Sequence, residues 1–450
     1  MLHAFVLHLN KNGKSVPGWA HRHGRQSVLD SPGPELVLTP IFLPLTIFLI
    51  LGLLLALQSA WSLVDGYRFL ALVRRSQRQP PGDYQPFCAV IVPAKGLDPG
   101  FEANLAAFLT QDYPAYQLIL AVASEDDPAY RALEERLQQP RAQGAERVKT
   151  ALVVAGHAES RGEKVNNLLA GLKVVDPAAQ VLVFADLDAT PSSDWLRSLV
   201  APLVDPGVTV STGFRWYVPG DGFASRLRAA WDTSIATMLG EHGHNFAWGG
   251  SMAIRAADFR RLEIAERYWA STVSDDYALT RAVREARARH AAGRIRFEPR
   301  CLVKSREEST FRGFLSWANR QIILTRVYSA RLWWMGLGSY LLYCATFVLG
   351  LALLVMQSTA LAGRGVVAAA LIVIVALGIV KARLRTVVAR EIFPEERVTL
   401  DRYGSCYWTL APLVPWVMLA NFVTAGLTRR IEWRGVRYEL RSPDEVRVMR

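Results

Sequence analysis

The sequence predicts an α/β domain on a mainly parallel sheet, flanked on both sides by transmembrane helices. Three observations predict this. Residues 41–61 form an uncharged apolar run of membrane-spanning length, and a second apolar cluster fills much of residues 332–427. Between them, short apolar runs alternate with helical patterns, the signature of strands joined by crossover helices. The 450-residue chain is 51% apolar with a mean hydropathy of +0.14, which excludes a mainly disordered or collagen-like protein.

Residues 1–37 are read as an N-terminal extension and 38–61 as a signal anchor. A helix of about twenty residues spans the roughly 30 Å hydrocarbon core, and one that is apolar all round has no face to offer water. No small-residue cleavage site closes the run, so it is not a cleavable signal peptide. Residues 62–330 are then a globular domain ending in an interfacial helix, with the amphipathic run Ile322–Trp334 leading into the membrane. Residues 332–380 fit two spans, broken at Gln357-Ser358-Thr359 and Gly363-Arg364-Gly365. A basic cytoplasmic loop is expected over 381–406, a third apolar segment over 407–428 and a basic tail over 429–450. Pro412 and Pro415 interrupt the third segment, leaving a re-entrant hairpin and a full crossing both open.

The chain carries 52 Lys+Arg against 40 Asp+Glu, a formal +12. Residues 62–330 hold 33 of the bases and 30 of the acids, so most of the excess lies on the membrane flanks. The near-neutral domain shows no basic stripe interleaved with aromatics, which argues against a nucleic-acid partner. Arg68, Arg74, Arg75 and Arg78 follow the anchor, placing the domain in the cytoplasm by the positive-inside rule. An excess of Arg over Lys points to a bacterium, hence an inner membrane. Cys88, Cys301, Cys344 and Cys406 are scattered and suggest neither a disulfide framework nor a zinc site.

Within the domain, strands are expected at Phe87–Val92, Gln117–Ala123, Thr150–Ala155 and Gln180–Ala185, with helices at Glu102–Thr110, Ala129–Gln138 and Glu163–Val174. Ligands of such sheets bind beyond the carboxyl ends of the strands. Those ends are acidic: Ser124-Glu125-Asp126-Asp127 follows one, Asp186-Leu187-Asp188 another. Paired carboxylates at a strand end suit a divalent cation bridging phosphates, whereas a lone one more often caps a helix. Asp275-Asp276 precedes a further helical stretch, and Trp248-Gly249-Gly250-Ser251 puts glycines where backbone must approach a bulky ligand. Lys164 opens a helix, where it meets either a phosphate or solvent. His242 and His244 suit a hard-cation site poorly.

Together these motifs resemble the inverting membrane glycosyltransferases of GT-A fold, and among them the ceramide glucosyltransferases. The resemblance spans residues 38–330 and rests on Val92-Pro93-Ala94-Lys95-Gly96 with Asp98-Pro99, Asn104-Leu105, Gln111-Asp112-Tyr113-Pro114, Asp126-Asp127-Pro128, Lys164 with Asn166-Asn167-Leu168, Asp186, Gly250-Ser251-Met252 and Asp275-Asp276-Tyr277. It implies a UDP-sugar donor bound by Lys95, Asp126, Asp127, Lys164, Asp186 and Arg320, and a divalent cation, Mg²⁺ or Mn²⁺, on Asp186 and Asp188. Asp276 is implied as general base. Gly250, Ser251, Asp275, Trp317 and Gln321 are candidates for the acceptor or sugar pocket.

The family's last signature, a Gln or Arg three residues before an Arg-Trp pair, falls on Trp317-Ala318-Asn319-Arg320-Gln321 and retains only Arg320. The resemblance implies transfer of a single hexose, with glucose on ceramide as the default. Bacterial relatives from hopanoid gene clusters keep N-acetylglucosamine and other lipid acceptors open, and a processive polysaccharide synthase is the rival within the superfamily. The tail stretch Ile431–Tyr438 is similar to one that follows the last membrane segment in many of these enzymes, without an assignable role.

Overall fold

The computed structural model describes residues 42–139, 147–306, 308–356 and 361–449. The N-terminal extension and the predicted break at Gln357-Ser358-Thr359 lie outside the described residues. Seven strands form the main sheet: β1 (Cys88–Pro93), β2 (Tyr116–Val122), β3 (Val148–Val154), β4 (Val181–Ala185), β5 (Val208–Tyr217), β6 (Ser251–Arg255) and β7 (Arg294–Ser305), in the order β3-β2-β1-β4-β6-β5-β7. All neighbouring pairs are parallel except those of β6, which runs antiparallel to both β4 and β5.

Period-2 alternation sends Val90 and Val92 to one face and Ala89 and Ile91 to the other. Both faces are covered, which is why the strands read as continuous apolar runs rather than alternating ones. The expected strands and helices match within two residues. Strands β5, β6 and β7 are additional, their apolar pattern being interrupted by Ser211, Thr212, Arg215 and Pro299.

Gly213 sits where the β5–β7 register slips, between Thr212 and Phe214. A Cβ there would collide with the Cys301 carbonyl oxygen and lie 2.6 Å from Ser251 Oγ.

The anchor forms a helix from Phe42 to Arg78, longer than expected: its 37 residues extend about 55 Å, well beyond a bilayer core. Its lower part belongs to the domain. Phe69, Leu70, Leu72 and Val73 are buried with Trp216 and Phe297, and the Phe69 and Phe297 rings stack 5.8 Å apart. Helices Ala330–Val355 and Leu361–Ile392 are likewise long and apolar enough to cross a membrane.

Three expectations require correction. Gly363-Arg364-Gly365 lies inside the second of these helices and breaks nothing. The stretch from Lys381 to Ile392 continues that helix instead of forming a loop, because the anchor supplies partners: Lys381 donates to Ser62 Oγ at 2.9 Å, and Arg74 pairs with Glu391 at 2.9 Å. The run Ile322–Trp334 is not one helix, since the helix Phe311–Tyr328 ends before Ser329 and the next starts at Ala330.

The third apolar segment is a short turn of helix at Cys406–Thr409 followed by a helix of 14 residues, Val414–Leu427. At about 1.5 Å per residue the latter reaches only about 21 Å. The chain then forms a second, antiparallel sheet of β8 (Arg430–Trp433), β9 (Val436–Ser442) and β10 (Glu445–Met449), in the order β10-β9-β8. This sheet lies against the main domain: Arg434 bonds the β1 loop at Asp98, and Arg281 pairs with Asp444.

Gly213→Ala is expected to lower the thermal midpoint of the purified chain, since overpacking a rigid backbone contact costs about 1–3 kcal/mol or more. A melt in detergent followed by tryptophan fluorescence checks this; an unchanged midpoint contradicts the close β5–β7 approach.

Candidate active site

The site is built around one largely buried lysine. Lys164 lies in the first turn of the helix Glu163–Leu172, with its side chain 14% exposed. Its ammonium meets Asp186 Oδ1 at 2.8 Å and Asp275 Oδ1 at 3.2 Å. Asp186 follows β4, and Asp275 opens the helix Asp275–Ala288, so one side chain ties three elements together. Burial opposes the charge on Lys164, but Asp186, Asp275 and Asp276 outweigh it and raise its pKa above the ordinary lysine value. The solvated-lysine alternative is thereby corrected.

Burial likewise opposes ionisation of Asp186, and Lys164 and Arg215 overcome it, leaving its carboxyl below the ordinary range. Asp275 behaves differently. It is 2% exposed, its Oδ2 accepts no hydrogen bond among the described residues, and burial pushes its pKa up to about 7 despite Lys164. Gly249 packs against it: a Cβ there would collide with Asp275 Oδ2 and lie 2.7 Å from Lys164 Nζ, so the ion pair would have to shift.

Asp276, next in sequence, is only partly buried. Its Oδ1 accepts from Ser274 Oγ and, at 2.7 Å, from the Tyr277 amide, while Oδ2 accepts a longer 3.3 Å bond from Gly249 N. One oxygen is thus fixed and the other loosely engaged. Neither Asp275 nor Asp276 is the N-cap, a position held by Ser274.

Asp188 is gripped by arginines. Arg215, on β5, reaches Asp188 Oδ1 at 2.5 Å and Asp186 Oδ2 at 3.6 Å, while its guanidinium lies 5.2 Å from the Trp248 ring. Arg434, in the β8–β9 turn, stands 3.6 Å from Asp188 Oδ2. The Asp186–Asp188 loop is pinned from behind by Asn104, whose amide donates to Leu187 O at 2.9 Å and accepts from Thr190 Oγ1.

The remaining predicted residues fall into two groups. Near the cluster, Asp127 caps the helix Pro128–Gln138 through Ala129 N and also accepts from Gly96 N at 2.7 Å, holding the β1 loop. Lys95 of that loop pairs with Glu163, and Asp126 is exposed at its rim. Gly250 O accepts weakly from Asp186 N at 3.4 Å. Farther off, Ser251 is fully buried and its Oγ accepts from the Trp195 indole, so the structure places it in the core and not in a pocket. Arg320 lies over the Trp433 ring at 5.0 Å.

Trp317 packs edge-on against Tyr217 and Trp231, with Arg228 4.5 Å from its ring; Trp231 in turn donates to Tyr340 of the helix Ala330–Val355. Gln321 sits one residue beyond Arg320 on the same helix, half-buried. His242 and His244 stand near each other at the surface.

Sequence reasoning missed Arg215 and Arg434. The first is a lone charge within the apolar strand Phe214-Arg215-Trp216-Tyr217, a pattern that signals a paired buried cation. The second carries no local signal beyond its glycine neighbour.

The raised pKa of Asp275 fixes a pH dependence. In the unfolded chain an aspartate loses its proton near pH 4. Between that pH and about 7 the folded state holds a proton that the unfolded state has lost, so stability falls as pH rises through this window and the penalty is complete above it. The wild type should therefore lose more thermal stability between pH 5 and pH 8 than Asp275→Asn. Melting curves at both pH values check this, and equal losses contradict it.

Residues 50–446 match the family model for glycosyl transferase family 21. Solved structures similar to this chain include S. aureus TarS residues 1–349, at 13% identity over 80% of this chain and 98% of that one, with a TM-score of 0.33. GalNAc-T7 with UDP, GalNAc and Mn²⁺ aligns at 14% identity over 50% of this chain and 44% of that one, with a TM-score of 0.34. Glucosyl-3-phosphoglycerate synthase from Mycobacterium tuberculosis, in complex with phosphoglyceric acid, aligns at 15% identity over 53% and 77%, with a TM-score of 0.31. The family match covers most of the chain, including the apolar helices and the C-terminal sheet, and the protein belongs to glycosyl transferase family 21, its main sheet forming a GT-A glycosyltransferase domain.

Proposed function

We propose that this glycosyltransferase moves a single hexose, with inversion, from a UDP-sugar to the hydroxyl of a membrane lipid, with UDP-glucose and ceramide as the leading pair. The observation that carries the reading is the pairing of a cation-bound acidic cluster at the strand ends with a partly exposed carboxylate, Asp276, beside it. The domain sits between helices long enough to cross a membrane, and the Trp317 nest runs directly into one of them through Trp231 and Tyr340. In this reading the partly exposed Trp317 meets the lipid headgroup. In this reading the arginines after the anchor set the domain on the cytoplasmic side, in a bacterial inner membrane, and the short 414–427 helix lies re-entrant or interfacial, returning the tail to the same side.

The chemistry follows from the placement of charge. Lys164 and Arg215 supply positive charge that a diphosphate requires. Asp276 accepts the proton of the acceptor hydroxyl as that oxygen bonds to the anomeric carbon. The bond from that carbon to the diphosphate oxygen breaks on the opposite face, and UDP leaves with the electron pair.

Asp186 and Asp188 present hard oxygens suited to Mg²⁺ or Mn²⁺. Among the described residues no group of three or more ligating side chains is arranged for a metal, so a cation held by these two carboxylates would need phosphate and water oxygens to complete its shell. Such an ion would neutralise charge developing on the leaving diphosphate.

Asp276→Asn should reduce transfer at least about a hundredfold, the usual scale for a lost general base, while UDP binding persists. Turnover near the wild-type rate in that variant contradicts the base assignment. Membranes containing the chain, supplied with a panel of UDP-sugars and analysed by mass spectrometry, should yield a lipid carrying one hexose. A polymer product would favour a processive synthase, and an N-acetylhexosamine lipid would redirect the donor.

A further inference from the structure

The β8–β9 hairpin crosses about 250 residues of sequence to reach the acidic cluster, and its tip is strained. The two residues of its turn, Arg434 and Gly435, both have positive φ, 49° and 81°. Two-residue hairpin turns of this kind favour Asn or Asp followed by Gly. A long branched-charge side chain held in the left-handed region costs free energy and is uncommon outside sites where its placement matters.

The tip is also held from several directions. Arg434 Nη1 donates to the Lys95 carbonyl, and Nη2 meets Asp98 Oδ2 at 2.6 Å, both in the loop after β1. Trp433, beside it, carries the Arg320 guanidinium on its ring. Behind the tip, buried Tyr438 accepts the Glu163 amide through its hydroxyl at 3.2 Å, and Glu163 is the partner of Lys95. At the far end Arg281 pairs with Asp444. The hairpin therefore rests on both the β1 loop and the helix that delivers Lys164.

Within this frame the third contact of Arg434 is loose. Its Nη2 stands 3.6 Å from Asp188 Oδ2, longer than a charge-assisted hydrogen bond of about 2.7–2.9 Å. A guanidinium has five N–H donors in a fixed fork. Lys95 O and Asp98 use two of them, so donors remain beside a cluster in which Asp98, Asp186, Asp188, Asp275 and Asp276 outnumber Lys164, Arg215 and Arg434. A diphosphate arriving there adds further negative charge and requires every cation within reach.

We infer that Arg434 is a donor-binding residue, presented by the C-terminal hairpin, which takes up a diphosphate oxygen of the nucleotide donor in place of its loose contact with Asp188. This rests on the nucleotide-sugar reading above. It gives the tail sheet a function: the hairpin positions the guanidinium, and Asp98 with the Lys95 carbonyl aims it.

The test is calorimetric titration of UDP, with Mg²⁺ present, into the full chain in detergent, as wild type, Arg434→Ala and Arg441→Ala. Arg441 lies on the same sheet, paired with exposed Glu445 at 3.1 Å, and reports on the sheet alone. The expected result is UDP affinity about tenfold or more weaker for Arg434→Ala, the usual scale for a lost charge-assisted contact, with Arg441→Ala within about twofold of wild type. Binding by Arg434→Ala within twofold of wild type overturns the inference. Equal weakening by both variants also overturns it, since the loss then belongs to the sheet. If the wild type itself binds no UDP, the donor reading fails and the inference with it.

Discussion

The buried contact of Lys164 with Asp186 and Asp275 is the constraint on which the site depends. Asp186 comes from the end of β4, Asp275 from the start of a helix about ninety residues later, and Lys164 from the helix that precedes β4. Breaking a buried pair by removing one partner typically costs about 3–5 kcal/mol, because a charge is left unpaired away from water. The cluster is therefore both a fastening between elements and a set of charges organised in advance. Gly249 shows the same constraint from the backbone side, since a Cβ there would force the Asp275 carboxylate and the Lys164 ammonium to shift.

Around that fastening, successive sources of positive charge come from progressively distant parts of the chain. Arg215 arrives on β5, and Arg434 on a hairpin that follows the last apolar helix. The membrane-length helices and the catalytic sheet are not separable modules joined by linkers. The anchor helix buries Phe69 and Val73 against Trp216 and Phe297, and Arg385, in the helix Leu361–Ile392, donates to the Ala230 carbonyl beneath the domain. The C-terminal sheet then closes the loop by returning to the β1 turn. The mechanical consequence is that these membrane-length helices are held rigidly against the domain that carries the acidic cluster.

Much of this was readable in the sequence, and the reasons are physical. Strands β1–β4 are buried on both faces, so their apolar runs stand out, and the acids that follow them mark the functional edge. Lys164, Asp186 and Asp275 could each be singled out from residue type and position, though not their mutual contact. Strands β5–β7 were hidden because they carry Ser211, Thr212, Arg215 and Pro299, whose partners are supplied only by the assembled sheet. Arg434 was hidden for the same reason at longer range: nothing near it in sequence reveals Asp98 or Asp188. The helix through Lys381 and Arg385 read as a basic loop because its charges are answered by Ser62 and the Ala230 carbonyl, which no local pattern records.

The most direct measurement of the central claim is a structure of the full chain in lipid nanodiscs with UDP bound. The account predicts diphosphate density within hydrogen-bonding reach of the cation cluster formed by Lys164 and Arg215, with Asp276 open to the side from which an acceptor hydroxyl would arrive. UDP bound elsewhere, with Lys164 still closed on Asp186 and Asp275 and no phosphate near Arg215, would contradict it.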